Sequence, residues 1–266
     1  MKKITLRPND KEYMFLDADN ITPDNFAGKT LDEVRAIEIY EGNRTYALGD
    51  YFEVSGETDP DPNEIGILID GSVPKVKYIG MKMSAGKLLV KGSVGMYVGG
   101  WMTGGRIRVN GDAEAYAGIG MEGGELLIEG NAGDYLGATY RGDWRGMKGG
   151  KIVVNGNAGS DIGESMVGGE IVVKGNADLQ AGIHMGWGSK KKDNPTIVIE
   201  GDAESRVGAQ MTKGDITVLG KIGYWLPGFI YQKDDQIDYD GKQYAVKVYQ
   251  GDRGEGGKGT LYYAGA

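Results

Sequence analysis

The sequence predicts an all-β-dominated protein whose middle is a right-handed parallel β-helix, a solenoid of about eight coils with a 19-residue period. Three observations carry that expectation. Glycine takes 48 of 266 positions, short apolar runs recur ahead of regularly spaced glycines, and a methionine recurs at a fixed distance before the runs. Against a usual share of about 7%, so much glycine means a backbone that often needs positive φ or close approach to another backbone. With only seven prolines and no Gly-X-Y triplet, a collagen-like or disordered chain is a poor alternative.

The runs read Ile67-Leu68-Ile69-Asp70-Gly71, Leu88-Leu89-Val90-Lys91-Gly92, Ile107-Arg108-Val109-Asn110-Gly111 and so on to Ile216-Thr217-Val218-Leu219-Gly220. Their closing glycines fall at 71, 92, 111, 130, 156, 175, 201 and 220, so the period is 19 and two copies carry seven extra residues. Met83, Met102, Met121, Met147, Met166, Met185 and Met211 each stand three residues before a glycine. After several closing glycines comes Asn or Asp and then Ala, as in Asp112-Ala113, Asn157-Ala158 and Asn176-Ala177.

In each run the period of two puts Ile and Val on one face and the residue between them on the other. Strands this short do not stand alone, but stacked coils pair each with its copy at about 4.8 Å. Glycines at both ends of a run allow the corners. The methionines then belong to the inner stack. Thioether ligation of a metal needs other soft ligands, and the chain has no cysteine and one histidine.

Three parts follow: a small α+β N-terminal cap domain over 1–64, the glycine-rich β-helix over 65–220, and a tyrosine-rich C-terminal extension over 221–266. In the first, Thr22-Pro23 reads as an N-cap with proline at N1, and Thr30-Leu31-Asp32-Glu33 as a capping box for a short helix through Ala36. Strands are expected near Ile37–Tyr40 and Thr45–Leu48, joined at Glu41-Gly42-Asn43-Arg44. The last part holds seven of the sixteen tyrosines, and Asp240-Gly241 there reads as a hairpin turn. Both flanks suit the capping that a stack of coils requires, and the tyrosines equally suit an interface.

Composition removes whole classes of function. A net charge of −8 and no long basic run speak against nucleic acid and anionic membrane as partners. The lack of cysteine removes disulfides, iron–sulfur ligation, zinc–thiolate sites and thiol nucleophiles. Nothing resembles a signal peptide or a span of roughly 20 apolar residues, so the expected location is cytoplasmic.

Local motifs add no site. Gly118-Ile119-Gly120-Met121-Glu122-Gly123 has the form of a dinucleotide fingerprint but no helix follows it, and Gly86-Lys87 and Gly150-Lys151 lack the rest of a P-loop. His184 reads as an outward polar residue beside a loop rather than a proton carrier. Glu57–Glu64, with two prolines and no EF-hand register, reads as a solvated linker rather than a calcium site. Lys190–Lys192 reads as a solubilising loop tip rather than a docking patch. No catalytic, cofactor-binding or metal-ligating residue is assigned.

The thirteen-residue form Gly-x-x-Met-x-x-Gly-x-(Ile/Leu)-x-(Val/Ile)-x-Gly recurs over 80–92, 99–111, 118–130, 163–175 and 208–220. Residues 144–156 carry Trp144 in place of the first glycine, and the copy starting at Gly182 is split by an insertion. These repeats resemble the C subunit of formylmethanofuran dehydrogenase, of the tungsten or molybdenum type, and are similar to the C-terminal solenoid domain of glutamate synthase. The resemblance implies an oxidoreductase complex that reduces CO2 and forms formylmethanofuran, the first step of methanogenesis from CO2. It implies partners: an amidohydrolase-like subunit, a metal-pterin subunit and a polyferredoxin. It also implies that the tungsten or molybdenum pterin, the iron–sulfur clusters and a metal-dependent hydrolase centre sit on those partners. This chain is then a scaffold. The repeats fit two other assemblies, a formyltransferase/hydrolase complex and a glutamate-synthase-like spacer. A pectin-cleaving type of enzyme is disfavoured, because the outward positions Leu89, Arg108, Leu127, Val153, Val172, Val198 and Thr217 hold no carboxylate. They are instead largely apolar, which points to a face covered by another subunit or by the chain's own termini.

Overall fold

The computed structural model describes residues 1–9, 11, 13–190 and 192–265, and strands dominate it. The first part of the chain contains β1 (Lys2–Pro8), β2 (Leu16–Asp17), short helices α1 (Pro23–Phe26) and α2 (Leu31–Arg35), then β3 (Glu38–Glu41), β4 (Arg44–Ala47) and β5 (Phe52–Gly56). Next come β6 (Ile65–Ile69), β7 (Val76–Lys77), β8 (Lys87–Val90), β9 (Arg106–Val109), β10 (Glu125–Ile128) and β11 (Lys151–Val154). They continue as β12 (Glu170–Val173), β13 (Ala177–Leu179), β14 (Thr196–Ile199), β15 (Ala203–Ser205) and β16 (Asp215–Val218). After these come β17 (Ile222–Tyr224), β18 (Ile230–Tyr239), β19 (Lys242–Gly251) and β20 (Gly259–Tyr263).

The Ile-x-Val runs pair in parallel, each with its copy in the next repeat, in the order β6-β8-β9-β10-β11-β12-β14-β16. The register does not slip. Ile107 lies beside Leu126, Leu126 beside Ile152, and Ile152 beside Ile171. A slip of one residue would turn every inward side chain outward, so the shared pattern of inward Ile and Val locks the stack. A thinner parallel ladder runs beside it through Val73, Val94, Ala113, Ala132, Ala158 and Ala177, and ends in the sheet β13-β15-β17. One apolar core extends from Ile4 to Leu261.

Two sequence elements gain a physical reason here. The methionines Met83, Met102, Met121, Met147, Met166, Met185 and Met211 are wholly buried. Met102 Cε lies 2.6 Å from where a β-carbon on Gly124 would fall, and Gly124 itself has φ +79°. The tips of Met83, Met102, Met121, Met147 and Met185 thus fill the hollow left by a glycine one repeat later. The Asn or Asp after the closing glycine builds a hydrogen-bonded column. Asp112 Oδ1 accepts from the Asn131 backbone N–H (2.7 Å), Asn131 Oδ1 from that of Asn157 (2.9 Å), and Asn157 Oδ1 from that of Asn176 (2.8 Å). The column runs on through Asp202 to Lys221.

The expectation that glycines turn both corners needs a correction. Gly86, Gly105, Gly124, Gly150, Gly169 and Gly214, ahead of the strands, have positive φ, whereas the closing glycines do not. A closing glycine is required by close approach instead: a β-carbon on Gly130 would meet Asp112 Oδ1 at 2.3 Å and the Gly111 backbone at 2.8 Å.

The stack is longer than the repeat. β1 pairs in parallel with β6 (Ile4 beside Ile67) and β20 in parallel with β16 (Leu261 beside Ile216). Ten parallel rungs therefore rise roughly 43 Å, at about 4.8 Å each. Beyond them the strands reverse: β5 is antiparallel to β1, and β19 to β20. Thr22 caps α1, with proline in the first turn, and Thr30 with Glu33 forms the capping box of α2. β3 and β4 sit within a residue of their expected bounds, and Leu48 opens a 3-10 turn rather than continuing the strand.

Candidate interaction surface

The singled-out polar residues are scattered. His184 Nε2 lies 2.5 Å from Gln210 Oε1, and Gln210 Nε2 donates to Glu255 Oε1 at 3.3 Å, so the imidazole ends a short chain leading to the C-terminal turn. Glu57–Glu64 is a folded turn: Asp59 Oδ1 accepts from the Asp61 N–H, Asp61 Oδ1 from the Asn63 N–H, and the N-terminal ammonium pairs with Glu64. Within the Lys190–Lys192 tip, Lys191 lies outside the described residues. The Lys190 carbonyl accepts from Lys213 Nζ (2.8 Å), which ties the tip to the neighbouring repeat. Gly118–Gly123 forms the turn before β10, with no helix behind it. Among the described residues, no group of three or more His, Cys, Asp or Glu side chains is placed to hold a metal ion.

Sequence reading missed an aromatic column. Tyr78, Tyr97, Tyr116 and Tyr135 stack face to face with centroids 4.8 Å apart. Each has φ between +62° and +67°. Stacking, on both faces of Tyr97 and Tyr116 and on one face of Tyr78 and Tyr135, offsets the strain of that backbone, since such pairs contribute about 0.5–1.5 kcal/mol each. The signal was there, in four tyrosines spaced by 19. Asp161, Gln180 and Arg206 continue the same left-handed corner in later repeats. Burial and the nearby Asp134 push the Asp161 carboxyl up, and burial followed by Asp161 does the same for Glu164. Trp101 and Tyr140 pack edge-on at 5.6 Å beside the column. The two seven-residue insertions meet on the same flank, where exposed Trp144 and Trp187 lie 6.4 Å apart and the Arg145 guanidinium sits 4.0 Å over Trp144.

The outward face of the main ladder divides in two. The Tyr239 hydroxyl donates to Glu200 Oε1 at 2.9 Å. In strand order β18 is four places from β14, which Glu200 follows, or roughly 19 Å in an unfolded sheet. The bond therefore requires the β18–β19 hairpin to fold back over the face. Beneath it Val172, Val198 and Thr217 are 5%, 6% and 8% exposed, and Val246 and Val248 of β19 are buried as well, outside the inner core. Burial, with the Glu200 bond second, raises the Tyr239 phenol well above its usual range. Toward β6 the outward Leu68 is also only 7% exposed, but from β8 to β10 no hairpin covers the same face among the described residues. Leu89 and Leu127 are partly exposed there, on either side of Arg108, in a groove of 610 Å³ that Lys3, Lys87 and Lys91 also line.

No protein-family model matches this chain. Over 97 residues, 36% of the chain, it is 50% identical to the C subunit of the tungsten-containing formylmethanofuran dehydrogenase 2 of Methanothermobacter thermautotrophicus. The chain is similar to the C subunit of formylmethanofuran dehydrogenase. A tungsten-type C subunit of Methanococcus maripaludis is 53% identical over 132 residues, covering 50% of this chain and 47% of the relative. The molybdenum-type C subunit of Methanosarcina barkeri is 40% identical over 97 residues. The match spans 36% of the length of the Methanothermobacter thermautotrophicus relative and 32% of the Methanosarcina barkeri one. Among solved structures, a chain of the formyltransferase/hydrolase complex of Methylorubrum extorquens, crystallised with methylofuran, superposes with a TM-score of 0.86 at 28% identity, covering 98% of this chain and 100% of that one. Among the described residues no helix is long and apolar enough to cross a membrane.

Proposed function

We propose that the chain is a non-catalytic scaffold subunit of formylmethanofuran dehydrogenase, folded as a right-handed parallel β-helix between a cap over 1–64 and a second over 221–266. The observation that carries this reading is the 50% identity over 97 residues to a tungsten-type C subunit. The unslipped parallel ladder and its inward methionines support the β-helix, since coils stacked this way bury one continuous core. The proposed complex reduces CO2 and forms formylmethanofuran in the cytoplasm. The donor set of this chain does not fit a metal pterin or an iron–sulfur cluster: it has no cysteine and a single histidine. We therefore place those centres, and the amidohydrolase-like and polyferredoxin chemistry, on partner subunits, and give this chain the task of fixing their geometry.

The likeness to a chain of the Methylorubrum extorquens complex favours a second reading, a scaffold in a formyltransferase/hydrolase assembly. One experiment separates the two. The chain is tagged in its native host, recovered under mild conditions, and the eluate is analysed for metals and by mass spectrometry. Tungsten or molybdenum with iron–sulfur-rich subunits supports the dehydrogenase. A formyltransferase without those metals supports the second reading, and a chain recovered alone refutes both.

A further inference from the structure

We infer that the uncovered part of the outer sheet face, from β8 to β10, receives an extended segment of another subunit whose side chains alternate between acidic and apolar. The inference rests on the proposed membership of a multi-subunit complex and adds to it the face and the chemistry of the partner.

The covered half supplies the precedent. On β12, β14 and β16 the outward Val172, Val198 and Thr217 are sealed by the chain's own hairpin. That hairpin is an extended ribbon whose alternate residues point at the face: Ile237 and Tyr239 on one strand, Val246 and Val248 on the other, are more buried than the residues between them. The face is continuous from β6 to β16 in one unslipped ladder, so the same pleat runs beneath both halves. Leu89 and Leu127 stand where the valines stand farther along, on either side of Arg108, and they are only partly covered. An apolar strip of this kind on a soluble protein marks a contact surface.

Charge decides the occupant. The chain as a whole carries −8. Yet the groove is lined by five cations, including Lys3, Lys87 and Arg108, against one acid, Glu125. Three of the five are paired within the chain, Lys91 with Asp70 at 2.6 Å, Arg106 with Glu125 at 2.9 Å and Arg108 with Glu129 at 2.7 Å, surface contacts that add little by themselves. Lys3 and Lys87 make no ion pair among the described residues. A neutral or basic strand would leave Lys3 and Lys87 uncompensated, whereas carboxylates alternating with apolar residues would meet these lysines and cover Leu89 and Leu127. Complementary rims of this kind govern partner choice and the rate of encounter.

The test uses the complex purified from its host, treated with a carbodiimide that joins amines to carboxylates without a spacer, and mapped by mass spectrometry. The expected products are amides between Lys87 or Lys3 and Asp or Glu of a different subunit. In parallel, K3E combined with K87E, both exposed, should leave the melting temperature of the chain unchanged and lower its recovery with partners at least tenfold. An intact complex in which other surface lysines couple across subunits but Lys3 and Lys87 do not overturns the inference and leaves the scaffold reading standing. Coupling to carboxylates of a second copy of this chain, seen by mixing isotope-labelled and unlabelled protein, also overturns it. Recovery of the chain without any partner sinks the inference and the scaffold reading together.

Discussion

Replacing Met121 with alanine removes the three outermost heavy atoms of a side chain that has no exposed surface. Its Cε stands 2.7 Å from where a β-carbon on Gly150 would lie, so the space it vacates is bounded by a glycine that has nothing to extend into it. Both ladders and the rungs on either side hold the walls apart, and the hollow does not collapse. Substitutions of this kind cost 2–5 kcal/mol, and about 3 is expected here. At about 2–4 °C per kcal/mol for a chain of this size, the midpoint should fall by roughly 6–12 °C. Thermal unfolding followed by far-ultraviolet circular dichroism measures it. Met121→Leu, which conserves volume, should cost less than about 1.5 kcal/mol. Met121→Asp or Ile128→Asp should give no folded protein, because each places an unpaired charge in the stack. A Met121→Ala midpoint within about 2 °C of the parent, or a folded Met121→Asp, would refute the inward packing of the methionines.

Three further outcomes are expected. Asn157→Ala leaves the exposed Asn176 backbone N–H without its acceptor and should cost about 0.5–1.5 kcal/mol, while Asn157→Asp keeps the acceptor and should melt close to the parent. Gly124→Ala should lower the midpoint more than Gly142→Ala: both have positive φ, but only at Gly124 would the new carbon meet Met102 Cε at 2.6 Å and the Gly104 backbone at 2.8 Å. The Glu164 carboxyl is pushed up, first by burial and then by Asp161. A carboxyl raised on folding favours the native state below its unfolded pKa of about 4.3 and loses that contribution as pH rises through the folded value. Glu164→Gln should therefore raise the midpoint at pH 7, and the gain should vanish below pH 4. An unchanged gain across that range would assign the effect to packing instead.

The stack was legible because it is written nineteen residues at a time. Met121 and its counterparts, the Ile-x-Val strands and the Asp240-Gly241 turn all stand where the pattern puts them, since each depends on local period or turn chemistry. The added rungs β1 and β20 were not legible. Their partners, β6 and β16, lie some 60 and 45 residues away in sequence, and no repeat marks them. The stacked tyrosines could have been found, because Tyr78, Tyr97, Tyr116 and Tyr135 keep the period. The fold-back of the hairpin could not: one bond between Tyr239 and Glu200 reveals it, and nothing in either residue announces the other. Hence the outward strand residues read as one apolar face in the sequence and prove to be two, one covered by the chain itself and one not.

Because the rungs bond chiefly to the copies just before and after them, a whole repeat can be gained or lost without redesigning the rest. Each such change would alter the separation of the two ends by one rung, about 4.8 Å. A protein of this construction is a ruler with fixed divisions. Anything held at its two ends can be spaced only in whole steps, and the reversed strands β5 and β18–β19 set where the scale begins and stops.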